Sequence, residues 1–316
     1  MKTFDEIYDE LQGRENNELN DLWKEAKKEK EKANKIFKNI CVPIDIVAVI
    51  IVLYLAKSLF AMLFIVIPML IINLFVYIII NIVVGGKETI KYYQKYKDVV
   101  IKKLINNFYD NLEYFPNKGM PENIYRNLRY ECYNRYRSDD YLEALINNKN
   151  SIQMAEILTQ EEETYRDSDG HTRTRTITQF HGLFAKIQLD KSINTELKIA
   201  QNGSAFFRGN QLKMDSSEFE KYFDVEATNQ IIGMQLLTAD VMEDLIEFYN
   251  KTNIKYEIGI DNNVLYLRFH SGNMFEPGNL KNGPLEKNII QKYFYMLDFT
   301  YNLSNMLINL VNETEI

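Results

Sequence analysis

Cysteine is nearly absent: Cys41 and Cys132 are the only two in 316 residues. A lone pair so far apart builds neither a disulfide framework nor a CxxC zinc spacing, and each reads as a small apolar side chain. Histidine is equally sparse. His171, His181 and His270 show no HExxH or HxH spacing, so the sequence predicts no metal site. There is no phosphate loop, no GxGxxG and no GxSxG, so no cofactor is expected and an enzyme finds no support. Basic charge is not in excess either. A net charge of −7 gives no case for nucleic acid as a partner. The first 37 residues are strongly charged and hold no apolar core with a cleavage site, so no signal peptide is expected.

Long hydrophobic runs are also scarce, with a single exception. Ile40 to Val84 is apolar except for scattered polar residues, and Lys57 interrupts it within "LYLAKSLF". About 45 residues of helix would measure roughly 68 Å, against a hydrocarbon core of about 30 Å. One straight crossing is excluded, and two fit. The sequence therefore predicts a transmembrane helical hairpin over 39–84, with spans of about 39–56 and 59–84 and "AKS" as the turn. Lysine is costly at a bilayer centre and cheap at an interface.

Seven lysines precede the block (Lys24, Lys27, Lys28, Lys30, Lys32, Lys35 and Lys38) and four follow it (Lys87, Lys91, Lys95 and Lys97). Lys57 stands alone between them. Basic flanks stay on the cytoplasmic side, so both termini are expected there, in a multi-pass protein of the inner cell membrane. Three intramembrane polar residues are singled out: Asp45, Asn73 and Asn81. Counted from the outer ends of the block, Asp45 and Asn81 fall at equal depth and can hydrogen-bond, while Asn73 and Pro68 suggest a helix contact and a kink. Gly85 and Gly86 are expected to end the helix.

Flanking this block, residues 1–38 read as amphipathic and charged helices. "FDEIYDEL" puts Phe4, Ile7, Tyr8 and Leu11 on one face, and a second stripe holds Leu19, Leu22, Trp23, Ala26, Ala33, Ile36 and Phe37. Residues 85–115 read as a stalk helix with Tyr93, Tyr96, Val100, Leu104, Phe108 and Leu112 inward. Stalk lysines would face anionic headgroups of the lipid bilayer.

Residues 116–316 read as a cytoplasmic α+β domain of antiparallel meander strands with a long C-terminal helix. "PENIYRNLRYECYNRY" opens as a helix at Pro121. "LEALINNKNSIQMAEILT" is two strands around "NNKN". "EEETYRDSDGHTRTRT" is a hairpin; a four-residue turn at Asp167 to Gly170 would set Glu162 against Arg175 and Thr164 against Arg173. "DSDG" opens like a calcium loop but lacks the glutamate at the twelfth place. "TADVMEDLIEFYNKT" is a helix capped by Thr238, with Met242, Leu245, Ile246 and Tyr249 inward. "KYEIGIDNNVLYLRF" reads as a hairpin turning at Asn262–Asn263, and a helix runs from Leu285 to about Val311.

At "FDEIYDEL", "YRSDDYLEA", "FHGLFA", "FEKYFDVEATNQIIGMQLLTADVMEDLIE" and "MFEP" the chain resembles a bacterial two-pass membrane family known as domain of unknown function 3137. Ala144 stands where the family pattern has glycine, and Ala239 where it has proline. The resemblance implies the same architecture, no known activity, and a membrane partner of the LemA-like kind. It directs attention to Tyr141, Glu143, Gly182, Phe184, Gln230, Phe275, Glu276 and Pro277 as a candidate interaction surface. The expected role is a membrane-anchored, non-enzymatic scaffold or binding module for a protein partner or a lipid headgroup, with homo-oligomerisation open. The alternatives are a membrane-tethered hydrolase or transferase, with a site assembled from distant residues such as Cys132, His181 and His270, or a subunit of a membrane transport complex.

Overall fold

The computed structural model describes residues 1–13, 17–55, 59–126, 131–204 and 211–313. Lys57 and its "AKS" turn lie outside them. Helix and antiparallel sheet are mixed, in two compact units.

The first unit takes Met1–Phe4, Ile101–Phe275 and Ile290–Ile316. Its sheet has six strands: β1 (Asp110–Phe115), β2 (Arg135–Ile146), β3 (Asn150–Arg166), β4 (Thr172–Gln201), β5 (Phe223–Ala227) and β6 (Tyr256–Phe269). Neighbours run β1-β2-β3-β4-β5, and β6 pairs with β4. Strand β4 is 30 residues long, so one stretch of it pairs with β3 and a later stretch with β5.

Two strand expectations are corrected. The loop closing β3 and β4 has five residues, because Asp167 N–H donates to His171 O (2.9 Å) and the Asp167 carboxylate takes the His171 and Asp169 amides. The register slips by one: Glu163 faces Arg175 and Tyr165 faces Arg173. The ion pair is therefore Arg175–Glu163, at 2.6 Å. A one-residue slip moves every side chain to the other face, which is why loop length decides the pairing. The second correction concerns Asn262–Asn263, which is no turn. Tyr256–Phe269 is one strand along β4, from Ala200↔Glu257 to Leu183↔Phe269. Asn262 takes a positive φ of 53° where the register with β4 shifts, the extra residues lying on β4 between Gln188 and Glu196, so an asparagine that suits a turn here stands opposite a bulge.

Helices α7 (Gln230–Leu236), α8 (Ala239–Thr252) and α9 (Lys287–Glu313) belong to the same region of sequence as β5 and β6. Asn229 caps α7 and Thr238 caps α8, each side chain accepting backbone N–H groups. Buried side chains of α8 are Val241, Leu245 and Phe248, with Met242, Ile246 and Tyr249 only half-buried. The inward stripe is thus rotated from the expected one, because Phe248 stacks on Phe299 of α9 at 3.9 Å. Phe299 also meets Tyr256 and Phe269 edge-on, which seats both helices on one face of the sheet. On the other face α6 (Glu122–Arg126) covers a cluster of Met120, Tyr125, Ala155, Ile157, Phe180 and Phe184. The helix opened at Pro121 is short; Arg135 and Arg137 already lie on β2.

The second unit is Asp5–Val100 with Glu276–Ile289. Helix α1 spans Phe4–Gln12 and α2 Asn17–Leu55. The charged segment and the expected first span are thus one unbroken helix of 39 residues with Pro43 inside. Helix α3 (Leu59–Ile80) continues through a π-helical turn, Asn81–Gly85, into α4 (Gly86–Tyr96). The glycine pair does not end the helix. Gly85 instead packs on α2: a Cβ there would make ordinary contact with the Lys30 Cα at 3.6 Å. A second π turn, Lys97–Ile101, leads to α5 (Lys102–Asn106). Helix therefore stops at Asn106, and Leu112 of the expected stalk stripe stands on β1, where its spacing from Phe108 fits a helix by coincidence.

Three contacts tie α2 to α3 and its continuation: Gly85 against Lys30, the rings of Phe37 and Tyr77 at 5.1 Å, and Asn73 Nδ2 donating to Asp45 Oδ1 at 2.7 Å. Asp45 thus pairs with Asn73, not Asn81, whose amide caps Tyr77 O at 2.9 Å. Counting from the outer ends misleads because the apolar part of α3 is longer than that of α2; Asp45 lies twelve residues before Lys57, Asn73 sixteen after it and Asn81 twenty-four after it. The segment Glu276–Ile289 is pinned by side-chain donors: Trp23 Nε1 to Leu280 O (2.9 Å), Tyr8 Oη to Leu285 O and Tyr92 Oη to Pro284 O (both 3.1 Å). Lys97 holds Glu276 at 2.7 Å.

Apolar side chains on α2 and α3 face outward. Ile44, Leu70 and Ile72 are each 62% exposed, in a series that runs from Ile40 to Ile50 and from Ile67 to Val83. Among the described residues, one helical stretch, Ile67–Asn106, is long and apolar enough to cross a membrane, and its most apolar window has no buried residue. A buried pair of soluble core helices does not look like this.

Candidate functional site

The sheet face that carries α6 is polar and open beyond that helix. One row of directly opposed side chains crosses five strands: Glu113, Glu143, Gln153, Lys186 and Tyr266. All five reach solvent. Gln153 Nε2 donates to Glu143 Oε1 at 2.9 Å and to Tyr141 Oη at 2.8 Å, and Tyr141 Oη donates to the same Glu143 oxygen. These bonds, Tyr141's first, hold the Glu143 carboxyl below its ordinary range. Burial and the adjacent Glu143 push the Tyr141 hydroxyl up, and burial pushes Tyr266 up to about 12. Glu143 thus stays charged at neutral pH while the phenols stay protonated. At the β1 end lies a cleft of about 230 Å3 lined by Asn111, Glu113, Glu143, Ser151 and Gln153 among others. Such a set recognises hydrogen-bond donors and positive charge.

Beneath the aromatic end of this face sits a buried charge network. Arg268, 4% exposed, donates Nη1 to Glu257 at 2.6 Å and Nη2 to Glu131 at 2.5 Å. Its guanidinium lies 4.4 Å from the Phe180 ring. Glu131 also accepts from Tyr125 Oη (2.6 Å) and Thr159 Oγ1 (2.9 Å). His270 Nε2 stands 3.5 Å from Glu257. Burial works to raise the Glu257 carboxyl, but Arg268, then His270 and Ser204, outweigh it and hold the group below its ordinary value. The sequence hid this network because Glu131 and Arg268 are 137 residues apart. An arginine inside "VLYLRF" was the one available signal, since a charge in an apolar strand run needs a partner.

His181 Nε2 lies 3.5 Å from Glu156, whose other oxygen accepts Met274 N–H at 2.7 Å. Asp139, Asp140 and Glu156 have carboxylate oxygens within 4.8 Å of one another. Tyr114 already donates to Asp140, so both buried members of this trio are engaged by protein donors. Neither histidine lines the β1 cleft or the second cleft, of about 150 Å3, between α8 and α9.

That second cleft is lined by Asp244, Glu247, Lys251, Tyr295, Asp298 and Asn302, with two phenylalanines. Lys251 Nζ sits 4.1 Å above the Tyr295 ring. Burial, then the neighbouring Glu247, Glu243 and Asp240, raises the Asp244 carboxyl; burial raises Asp298 against the opposing pull of Asn302 and Lys251. A raised folded value means that the charged form costs stability above it, a cost absent in acid where both folded and unfolded chains hold the proton. Asp298→Asn should therefore raise the melting temperature of the full chain by a few degrees at most at pH 7, and the gain should vanish towards pH 3. An equal gain at both values would contradict this reading.

Of the residues singled out in sequence, Glu143 falls on the polar row with Tyr141 hydrogen-bonded beside it, and Gln230 is exposed at the start of α7. Gly182, Phe184 and Phe275 are buried. Gly182 is the point of closest approach between β4 and the end of β6: a Cβ there would fall 1.8 Å from Phe269 O. In the helical unit Pro277 is buried and Glu276 is paired with Lys97; Asp45 and Asn73 meet, and Asn81 bonds within its own helix.

No curated protein matches the chain. Among solved structures, the crystal structure of the mycobacterial trehalose monomycolate transport factor A, TtfA, resembles it over 66% of this chain and 93% of its own, at 7% identity and a TM-score of 0.34. The likeness is too slight to argue from. A family described as a protein of unknown function, DUF3137, matches residues 178–308, from β4 into α9. The motifs "FHGLFA" and "MFEP" lie inside that match; "FDEIYDEL" and "YRSDDYLEA" lie before it.

Proposed function

We propose that the chain is a membrane-anchored, non-enzymatic binding module. Two helical crossings joined near Lys57 hold it in the inner membrane, and the sheet domain is presented on the cytoplasmic side to a protein partner through its polar face. The observation that carries the anchor is the outward-facing apolar series on α2 and α3. Water offers no compensation for that much exposed apolar surface, whereas lipid does. The eleven flanking lysines support a cytoplasmic location for both termini.

Binding rather than catalysis is favoured by the character of the open face. Glu113, Glu143, Gln153, Lys186 and Tyr266 offer charge and hydrogen bonds on one sheet face, beside a buried aromatic cluster. A photoreactive residue at Gln153, in cells expressing the full chain at native level, should give a discrete crosslinked adduct that Glu143→Arg abolishes. The same probe at Gly170, on the distant hairpin loop, should not give that adduct. No adduct from Gln153, or an adduct indifferent to Glu143→Arg, would contradict the binding face. A LemA-like protein, a lipid and a second copy of this chain are distinguishable by the mass of the product.

A further inference from the structure

The apolar boundary is not level across the two helices. Lys30 lies against Gly85, Phe37 against Tyr77 and Asp45 against Asn73, so advancing along α2 means going back along α3. The stretch of α2 from Lys30 to Lys38 therefore runs level with Gly85 back to about Tyr77, with Lys35 near Ile79 and Lys38 near Tyr77. In that interval Ile82 is 65% and Val83 75% exposed, and Ile78 and Ile79 are exposed beside them. Cationic side chains on one helix thus run level with uncovered apolar side chains on the other, over about eight residues or roughly 12 Å.

No flat membrane boundary satisfies both helices. Set at Lys38, it leaves the isoleucines and Val83 in water. Set at Val83, it draws Lys35 and Lys38 well into hydrocarbon, where their ammonium groups must reach back to phosphate. Local acids do not relieve them. Lys24, Lys32, Lys91, Lys95 and Lys97 are each paired with a carboxylate. Lys35 and Lys38 have no acidic partner among the described residues, and no Asp or Glu stands between Glu31 and Asp45.

We infer that this staggered flank binds an anionic phospholipid, its phosphate on Lys35 and Lys38 and its acyl chains over Ile78 and Ile79. The inference rests on the anchoring proposed above and adds to it a choice of headgroup. A zwitterionic lipid covers the apolar side chains equally well but leaves both lysine charges uncompensated; an acidic one compensates them.

The test uses the full chain in nanodiscs made from equal parts phosphatidylcholine and phosphatidylglycerol, released into native mass spectrometry, with carbonate extraction of native membranes in parallel. Wild type should retain phosphatidylglycerol in preference to phosphatidylcholine. Lys35→Gln with Lys38→Gln should lower that preference on the order of tenfold or more, while Lys24→Gln with Lys28→Gln should leave it unchanged. Wild type without a preference, or equal loss in the two double variants, overturns the lipid site. When protein stays in carbonate-washed membranes but shows no preference, only the lipid site fails. Release of wild type by carbonate removes the anchor and the lipid site with it.

Discussion

Arg268→Leu should cost about 3–5 kcal/mol of stability, because it strands two buried carboxylates that now share one cation. Among the described residues Arg268 is the cationic partner of Glu131, and it holds Glu257 at 2.6 Å. Its removal also strips the guanidinium from the face of Phe180. In a domain of this size that loss should lower the melting temperature by roughly 6–20 °C. Two further results separate charge from volume. The triple variant Arg268→Leu, Glu131→Gln, Glu257→Gln should regain much of the loss, since neutral partners of similar shape replace an ion network at little net cost. The penalty should also depend on pH. Glu257 is held below its ordinary value in the folded chain, so its contribution is present above the ordinary carboxylate range and fades as pH falls through the folded value. The gap between wild type and Arg268→Leu should therefore narrow from pH 7 towards pH 4. A gap that stays constant would mean that Arg268 acts by packing alone.

Gly182→Ala should be comparably severe, for a backbone reason. The new Cβ would fall 1.8 Å from Phe269 O and 2.7 Å from Ser271 N, atoms that cannot rotate away. Two hydrogen bonds at the same place, Gly272 N–H to His181 O (3.1 Å) and Leu183 N–H to Ser271 Oγ (3.2 Å), keep the chain close. Overpacking costs about 1–3 kcal/mol where side chains can yield, so a clash with backbone should cost at least about 3. Gly170→Ala is the control. Gly170 takes a φ of 81° at the β3–β4 loop and an added Cβ there meets nothing within 4 Å, so the cost should stay near 1 kcal/mol. Equal destabilisation at the two positions would mean that positive φ, not close approach, is what Gly182 provides. The glycine of "FHGLFA" thus has a physical role: it lets the end of β6 reach β4.

Local chemistry was legible in the sequence, and distant geometry was not. Thr238 caps α8 as its hydroxyl and the following periodicity imply, and "NNKN" turns between β2 and β3 because Asn147 and Asn148 tolerate positive φ. The same tolerance misled at Asn262, where an asparagine in that conformation sits in a continuous strand opposite extra residues of β4 instead of reversing the chain. Helix periodicity carried past its true end because Leu112 keeps step with Phe108, although Asn106 is the last helical residue. Depth counting failed for Asp45 because the register of two helices is set by their contacts, not by the ends of their apolar runs. In the site, Tyr141 and Glu143 could be picked from sequence, but the row that Glu143 belongs to needs the register of five strands. Arg268 lacked a visible partner until β6 was laid beside β4 and Glu131 brought over it.

Protease accessibility in sealed, inverted inner-membrane vesicles tests the central claim most directly. The anchor proposed on α2 and α3, with Lys57 on the outer face, predicts that added protease degrades the sheet domain and both termini without detergent, leaving a protected fragment of about residues 39–84. Protection of residues 116–316 until detergent is added, or loss of the chain from the vesicles before any protease is present, would contradict it.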